Sequence, residues 1–427
     1  MNHVYFFVEL SNPMKIDFDD LPIGNPGIGG TQYATICLAL ELSRRTDLHV
    51  ELISPYFLEV PQNMGFHKLE SLSDAIDLAE SNQGILVFRP TINLSDSMVE
   101  KLYTTKANLI AWTHVTPSQK TLRFLSQSRQ VRRVVALGKR QLLGWLDNPV
   151  SQKTVVIKNG QYIPSVESNG SKDHKYVTYL GSMVPQKGFH LLAEVWPQIH
   201  ELNPSLRLKV IGSGNLYDAN AKLGDFGIAS SEYEFEFLGN LGESLSSVDF
   251  LGKIDSREKN AVIADSYLGI VNPSGYTEIC PASALDFQAL KVPVISVRKF
   301  GLIDTVKQYQ TGILVKNYTK IPSAINYLIE NENLRNEMSL KCTDFLIAEF
   351  NFETIVEEWY SLISNLVNDT STPIIARNDL LTITDRAIYL NFNLRTKFPM
   401  LFSLPSVVEV SDWVKKIIKK ILLTNSR

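Results

Sequence analysis

Residues 267–296 constrain this chain more than any other stretch. Residues 267–272 read Tyr-Leu-Gly-Ile-Val-Asn and end at Pro273, Ser274 and Gly275. A short apolar run closed by turn residues is the pattern of a buried parallel strand leaving its sheet. Pro281 suits the first position of the next helix, where a missing N–H costs nothing. The amide N–H groups of Ile279, Cys280 and Ala282 are then expected to point outward unpaired, a helix start that attracts anions. Glu278 precedes that helix and Asp286 lies inside it. Both carboxylates can face one crevice beyond the strand's carboxyl end, where open α/β sheets bind ligands, and Glu278 is expected to face solvent there. Taken alone, the same pattern also suits a strand–turn–helix unit with two solvated acids.

Other segments repeat the strand–loop–helix theme. Strands are predicted at 4–8, 50–54, 85–89, 109–113, 134–136 and 155–158, separated by enough residues for crossover helices, which describes a parallel, doubly wound domain. After a polar loop over 11–26 comes Pro26-Gly27-Ile28-Gly29-Gly30-Thr31, leading into a helix with Tyr33, Ile36, Cys37 and Leu40 on one face. The glycines lack the last position of G-x-G-x-x-G, and strand 50–54 ends without an acid, which argues against a dinucleotide. The Gly29-Gly30 pair instead permits positive φ and close backbone approach to a ligand. His114 follows the strand ending Trp112-Thr113, and Lys158-Asn159-Gly160 makes a turn. Residues 163–175 are rich in Ser, Asn, Gly, Lys and Pro and read as a linker.

A second series of strands is predicted at 176–180, 206–211, 248–253, 294–296 and 312–315. Residues 215–247 look irregular apart from a candidate strand at 233–238, and helical periodicity marks 322–348 and 352–366. The strand at 176–180 runs into Gly181-Ser182-Met183-Val184-Pro185-Gln186-Lys187-Gly188.

Glu278, seven residues and Asp286 resemble the E-x7-E signature of the retaining GT-B glycosyltransferases of the family Glycosyl transferases group 1. Residues 181–188 resemble that family's Gly-Arg-x-x-x-x-Lys-Gly loop, and 248–253 its strand bordering the nucleobase. The likeness spans about residues 1–368. It implies a nucleoside-diphosphate sugar donor whose hydroxyls Glu278 holds, whose diphosphate meets the amides of Ile279 and Cys280 together with Lys187 and Gly29-Gly30, and whose ribose Asp286 grips. His114 would stand beside the donor sugar, and Lys253 would reach the base or remain in solvent. Two departures stand out: Asp286 replaces a glutamate, shortening its reach by one methylene, and Ser182 replaces an arginine, removing a bidentate phosphate contact.

Composition narrows the setting. Single cores rarely exceed about 250–300 residues, so 427 residues imply more than one domain. We expect a GT-B arrangement of two Rossmann-like domains across a cleft: 1–165 on the acceptor side, 172–350 for the nucleotide-sugar, a closing helix at 351–368 and a C-terminal extension at 369–427. A net charge of -3 argues against nucleic acid. Cys37, Cys280 and Cys342 are too few for a disulfide framework or zinc site, and the N-terminal apolar run is a strand and not a leader, so the chain reads as cytosolic.

The tail adds a surface. In 411–423, Trp413, Val414, Ile417, Ile418, Ile421 and Leu422 fall on one helical face and Lys415, Lys416, Lys419 and Lys420 on the other, with no acid among the lysines. That pattern suits a helix lying in an anionic membrane surface, here the inner face. It also fits a terminal helix packed on the protein with its lysines in solvent.

The sequence therefore reads as a retaining glycosyltransferase that moves a sugar to a hydroxyl of a glycan or lipid-linked acceptor. Glu278, Lys187 and His114 would be the catalytic groups. No metal or other cofactor is expected, since the crevice segments contain no Asp-x-Asp. A non-catalytic nucleotide-sugar-binding scaffold would explain Ser182. A glycosidase would use the two carboxylates but leave the glycine loops and Lys187 without a role.

Overall fold

The computed structural model describes residues 2–164, 176–215, 222–276, 278–366, 375–376 and 379–424. Two parallel sheets form the frame. The first contains β1 (Asn2–Phe7), β2 (Leu48–Ser54), β3 (Gly65–Lys68), β4 (Ile85–Phe88), β5 (Asn108–Thr113), β6 (Val131–Ala136) and β7 (Thr154–Val156) in the order β3-β2-β1-β4-β5-β6-β7. The second contains β8 (Tyr176–Leu180), β9 (Arg207–Ile211), β10 (Val248–Gly252), β11 (Leu268–Ile270), β12 (Val294–Val297) and β13 (Gly312–Val315) in the order β10-β9-β8-β11-β12-β13. Strand order reverses direction between β1 and β4 and between β8 and β11. Crevices open at such switch points, because the loops leaving neighbouring strands go to opposite faces.

Strand composition explains the layering. Central strands such as Ile-Leu-Val-Phe at β4 are buried on both faces, as sheets covered by helices on both sides require. Val4 and Phe6 of β1 enter one core with the Gly30–Leu42 helix, while Tyr5 and Phe7 enter another on the opposite face. The second domain is built around Tyr179, Phe189, Trp196, Phe237 and Phe287. The helix Phe352–Ser364 crosses back to the first domain: Trp359 is buried in the first core, its ring centroid 4.8 Å from that of Trp112.

The extension beyond residue 378 packs on the first domain. Ile388 is buried in the core on the Tyr5 side, and the Ile383–Lys397 helix is tied down by Arg140–Asp385 and by Arg395, which donates to the carbonyl of Asp147 at 2.9 Å. The final helix, Val407–Thr424, starts against that core through Val407 and Val408, with Arg123 paired to Glu409. Past Val410 it leaves the body.

Three expectations need correction. Residues 233–238 are not a strand but part of the helix Ser231–Leu241. Tyr-Glu-Phe-Glu-Phe alternates like a strand, yet Ser230 caps the Tyr233 amide, and Tyr233, Phe237 and Leu241 are buried at i, i+4 and i+8 while Phe235 stays exposed. The edge strand β3 was not anticipated. Gly29 has φ of -58° and Gly30 is not in the positive-φ region either; it is Gly27, at φ 86°, that needs to be glycine. The linker at 163–175 lies, from residue 165, outside the described residues, as does the polar break at 369–373.

Candidate functional site

A crevice of about 730 Å³ separates the domains, lined by loops leaving β1, β8 and β11. His114, Gly30, Ser182, Lys187, Lys253, Glu278, Ile279, Cys280 and Asp286 all border it, and Gly29 adjoins it as the cap of the Gly30–Leu42 helix.

The turn after β11 is wound around Asn272, held at φ 36°. Its side chain accepts from the Ser274 hydroxyl (2.7 Å) and the Gly275 amide (3.0 Å) and donates to Glu278 Oε1 (2.7 Å). Lys187 Nζ lies 2.6 Å from the same carboxylate oxygen. The lysine loop is pinned there by Gly188, at φ 73°, where a Cβ would come within 2.6 Å of the Ser274 amide nitrogen, and by the Ser274 hydroxyl donating to the Gln186 carbonyl. Glu278 is thus only 6% exposed. This overturns the expectation of a solvent-facing acid: a cation and an amide compensate its charge inside the wall.

Asp286 is likewise paired. Lys259 Nζ lies 2.9 Å from Asp286 Oδ2, and Gln161 Nε2 donates to Oδ1 at 3.3 Å. Lys259, itself buried, was not singled out from the sequence; it sits in the acid-containing helix Ser256–Ala264, where nothing in the pattern distinguishes it from a surface lysine. In the sequence Asn272 marks only the end of a strand. Glu278 is buried and Asp286 partly so, and each is paired to a lysine, so neither is the freely solvated acid of the strand–turn–helix reading.

The helix after Glu278 runs Ala282–Ala289, with Pro281 as its cap rather than its first residue and with no capping side chain. No hydrogen bond is donated by the amides of Ile279, Cys280 or Ala282 among the described residues. Lys253 reaches over Gly27 from the opposite domain: a Cβ there would lie 2.3 Å from its Cε. It has no ion pair or hydrogen bond among the described residues. Lys187, Lys253 and Lys259 therefore supply three cations to the crevice in which Ser182 supplies none.

His114 follows β5 and is largely enclosed, with one edge on the crevice. Burial, reinforced by the nearby charge of Arg89, pushes its pKa down to about 3, which leaves the ring neutral at pH 7. The Trp112 backbone and the Asn159 side chain lie near the ring and oppose this shift, but neither completes a well-aligned hydrogen bond to a ring nitrogen, and Asn159 Oδ1 is left without a partner. Buried polar atoms without partners beside an open crevice are groups a ligand can satisfy. Arg89, paired with Glu9 beyond the ends of β4 and β1, and Gln32, which donates to the Glu9 carbonyl, complete this wall; none of the three was foreseen.

The domains touch around the crevice. Asn260 Nδ2 donates to the Ile23 carbonyl at 2.7 Å, Ser256 Oγ to that of Gly24 at 3.1 Å, and Arg257 pairs with Asp20. Among the described residues no helix is long and apolar enough to cross a membrane.

Two parallel-sheet Rossmann-like domains enclosing a crevice at their switch points define a GT-B fold. Residues 165–342, which include most of the second domain, match the model of the family Glycosyl transferases group 1. An uncharacterized glycosyltransferase of Haemophilus influenzae is 22% identical over 234 residues, 54% of this chain and 61% of that protein. The match thus spans about three fifths of that relative's length. Among solved structures, sucrose-phosphate synthase from Thermosynechococcus elongatus aligns with a TM-score of 0.64 at 16% identity, over 86% of this chain and 99% of that one. Anabaena Alr3699/HepE, solved in complex with UDP and glucose, aligns with a TM-score of 0.61 at 16% identity, over 86% and 100%.

Proposed function

We propose that this protein is a retaining, metal-independent glycosyltransferase that moves a sugar from a nucleoside diphosphate to a hydroxyl of a glycan or lipid-linked acceptor. The observation that carries the reading is the Lys187–Glu278 pair, 2.6 Å apart, beside the unpaired amides of Ile279, Cys280 and Ala282. In this reading the diphosphate lies over those amides within reach of Lys187, and Glu278 accepts hydrogen bonds from sugar hydroxyls. Asp286, held by Lys259, takes the ribose hydroxyls. The bond from the anomeric carbon to the diphosphate breaks as the acceptor oxygen bonds to the same carbon on the same face. The acceptor's proton leaves on a phosphate oxygen. Fixed positive groups around the leaving phosphates stabilise that charge as it develops, the largest contribution a site of this kind makes. His114, neutral and at the edge of the crevice, supplies a hydrogen bond to the sugar and not a proton.

The scaffold reading rested on Ser182, and Lys253 and Lys259 weaken it by bringing cations from other segments. The glycosidase reading is disfavoured because Glu278 and Asp286 are each neutralised by a lysine, which suits neither a general acid nor a free nucleophile.

The fold's acceptor would be brought close if the tail held the enzyme on an anionic membrane. Trp413 is 65% exposed and Ile418 and Ile421 52% each, on the helix that carries Lys415, Lys416 and Lys419.

The reading is tested by a thermal-shift panel of nucleoside diphosphates on the wild-type chain and on Lys187→Met. One base should raise the wild-type midpoint, since a ligand at 100 times its Kd adds about 2.7 kcal/mol. Loss of Lys187 should weaken that ligand by about 1.5–3 kcal/mol, the range for a charged hydrogen bond. Release of the diphosphate only when an acceptor is present separates transferase from scaffold. Unchanged affinity in folded Lys187→Met puts the phosphates elsewhere.

A further inference from the structure

Far from the crevice, three of the chain's seven histidines converge on one buried carboxylate. His3 on β1 and His49 on β2 are register partners, and Glu51 follows two residues along β2, on the same face as His49. His67 comes from the edge strand β3. His3 Nδ1 lies 3.0 Å from Glu51 Oε1, His49 Nε2 3.5 Å from the same oxygen, and His67 Nε2 2.5 Å from Oε2. One donor atom from each of His3, His49 and Glu51 lies within 4.8 Å of the others.

The backbone makes room for this arrangement. Gly65 stands opposite Glu51 in the register, and a Cβ there would fall 2.7 Å from Glu51 Cγ and 3.0 Å from Oε2. The glycine lets the glutamate lie across β3 toward His67. The helix Leu72–Ser81 packs on β1 and β4, so the β2–β3 margin of this face stays open. His3 and His49 side chains are 41% and 46% exposed, against 9% for Glu51.

We infer that this cluster is a structural binding site for a borderline divalent transition metal, with zinc the best match. The ligands are His3 Nδ1, His49 Nε2 and Glu51 Oε1, with water at the open fourth position. Metal–nitrogen and metal–oxygen bonds of about 2.0–2.2 Å in a tetrahedron separate ligand atoms by about 3.3 Å, close to the 3.0 and 3.5 Å measured here. His67 bonds the second carboxylate oxygen and orients the ligand, as partners of metal-bound carboxylates do. Two imidazole nitrogens favour zinc, nickel, cobalt or copper over calcium and magnesium, which prefer oxygen. Bound there, the ion ties β1 to β2 directly and to edge strand β3 through His67. It lies near the amino ends of β1 and β2, away from the crevice at their carboxyl ends, and has no part in sugar transfer.

The test uses the untagged full chain, freed of metal by a chelator and titrated with zinc and then cobalt. One equivalent of zinc should bind, and cobalt should give the strong visible bands of tetrahedral coordination. His49→Ala, at an exposed position that leaves the core intact, should abolish both, and His67→Gln should weaken zinc by about 10–100-fold. Failure of the wild-type chain to bind one equivalent, or zinc affinity and cobalt spectra unchanged in His49→Ala, would overturn the assignment.

Discussion

His114 shows how a single side chain reports its surroundings. Burial and the Arg89 charge hold its pKa near 3, whereas an unfolded chain leaves histidine near 6.5. The folded state therefore resists a proton that the unfolded state takes up once the pH falls below about 6.5. Stability from this group is fully present above that value and is lost as the pH drops toward 3, at up to about 1.4 kcal/mol per pH unit. In His114→Asn, which cannot titrate, urea midpoints between pH 6.5 and 4.5 should fall less steeply than in the wild-type chain. Parallel slopes would mean the ring is already protonated or solvated in the folded protein. The sequence located His114 at a strand's end but could not report its neutrality, because Arg89 and the enclosing walls come from segments remote in the chain. For the same reason Lys259 was invisible: it becomes a site residue only when its helix is laid beside the one that carries Asp286.

At the scale of elements, loops with proline and glycine were the most legible. Pro273-Ser274-Gly275 and Lys187-Gly188 have chemistry that only particular backbone shapes use, and both lie where β11 and β8 end. Less legible were elements whose local pattern conflicts with their packing, as in Ser231–Leu241, where strand-like alternation yields to a cap and a buried i, i+4 row. The four residues of β3 are too few for any period to register. The Lys187 loop offers a direct test of element positioning. Gly188→Ala places a Cβ in the left-handed region and against backbone, 2.6 Å from the Ser274 nitrogen, a contact no side-chain rotation relieves. The backbone term alone costs about 1–2 kcal/mol. The variant should melt earlier and bind nucleoside diphosphate more weakly, since the loop must retreat from Ser274 and carry Lys187 away from Glu278. A lowered midpoint with wild-type diphosphate affinity would show that the loop's position does not set the site.

For the whole molecule, the two sheets supply the crevice and the extension supplies an outward surface. Among the described residues 26 large hydrophobics are exposed, and the 13 from Leu381 to Ile421 belong to the extension, so apolar exposure is concentrated there and not scattered as on an ordinary surface. The helix Val407–Thr424 is secured at its start by Arg123–Glu409 and by the Val407 amide donating to Asp147 at 2.7 Å. Beyond Val410 the apolar residues Trp413, Val414, Ile417 and Ile418 are exposed, contrary to the packed-helix alternative. A stripe of this kind with lysines beside it matches a surface that is apolar below and anionic above, each lysine near such a surface adding about 1 kcal/mol. In sedimentation with vesicles, the intact chain should bind phosphatidylserine-containing membranes at low salt, release at high salt as screening shortens the reach of its charges, and ignore neutral ones at the same lipid concentration. A chain ending at Val410 keeps the Arg123–Glu409 anchor and the folded body, so its melting midpoint should be unchanged while vesicle binding is lost. Equal binding by the two forms would assign any membrane contact to another face and leave the apolar stripe for a protein partner.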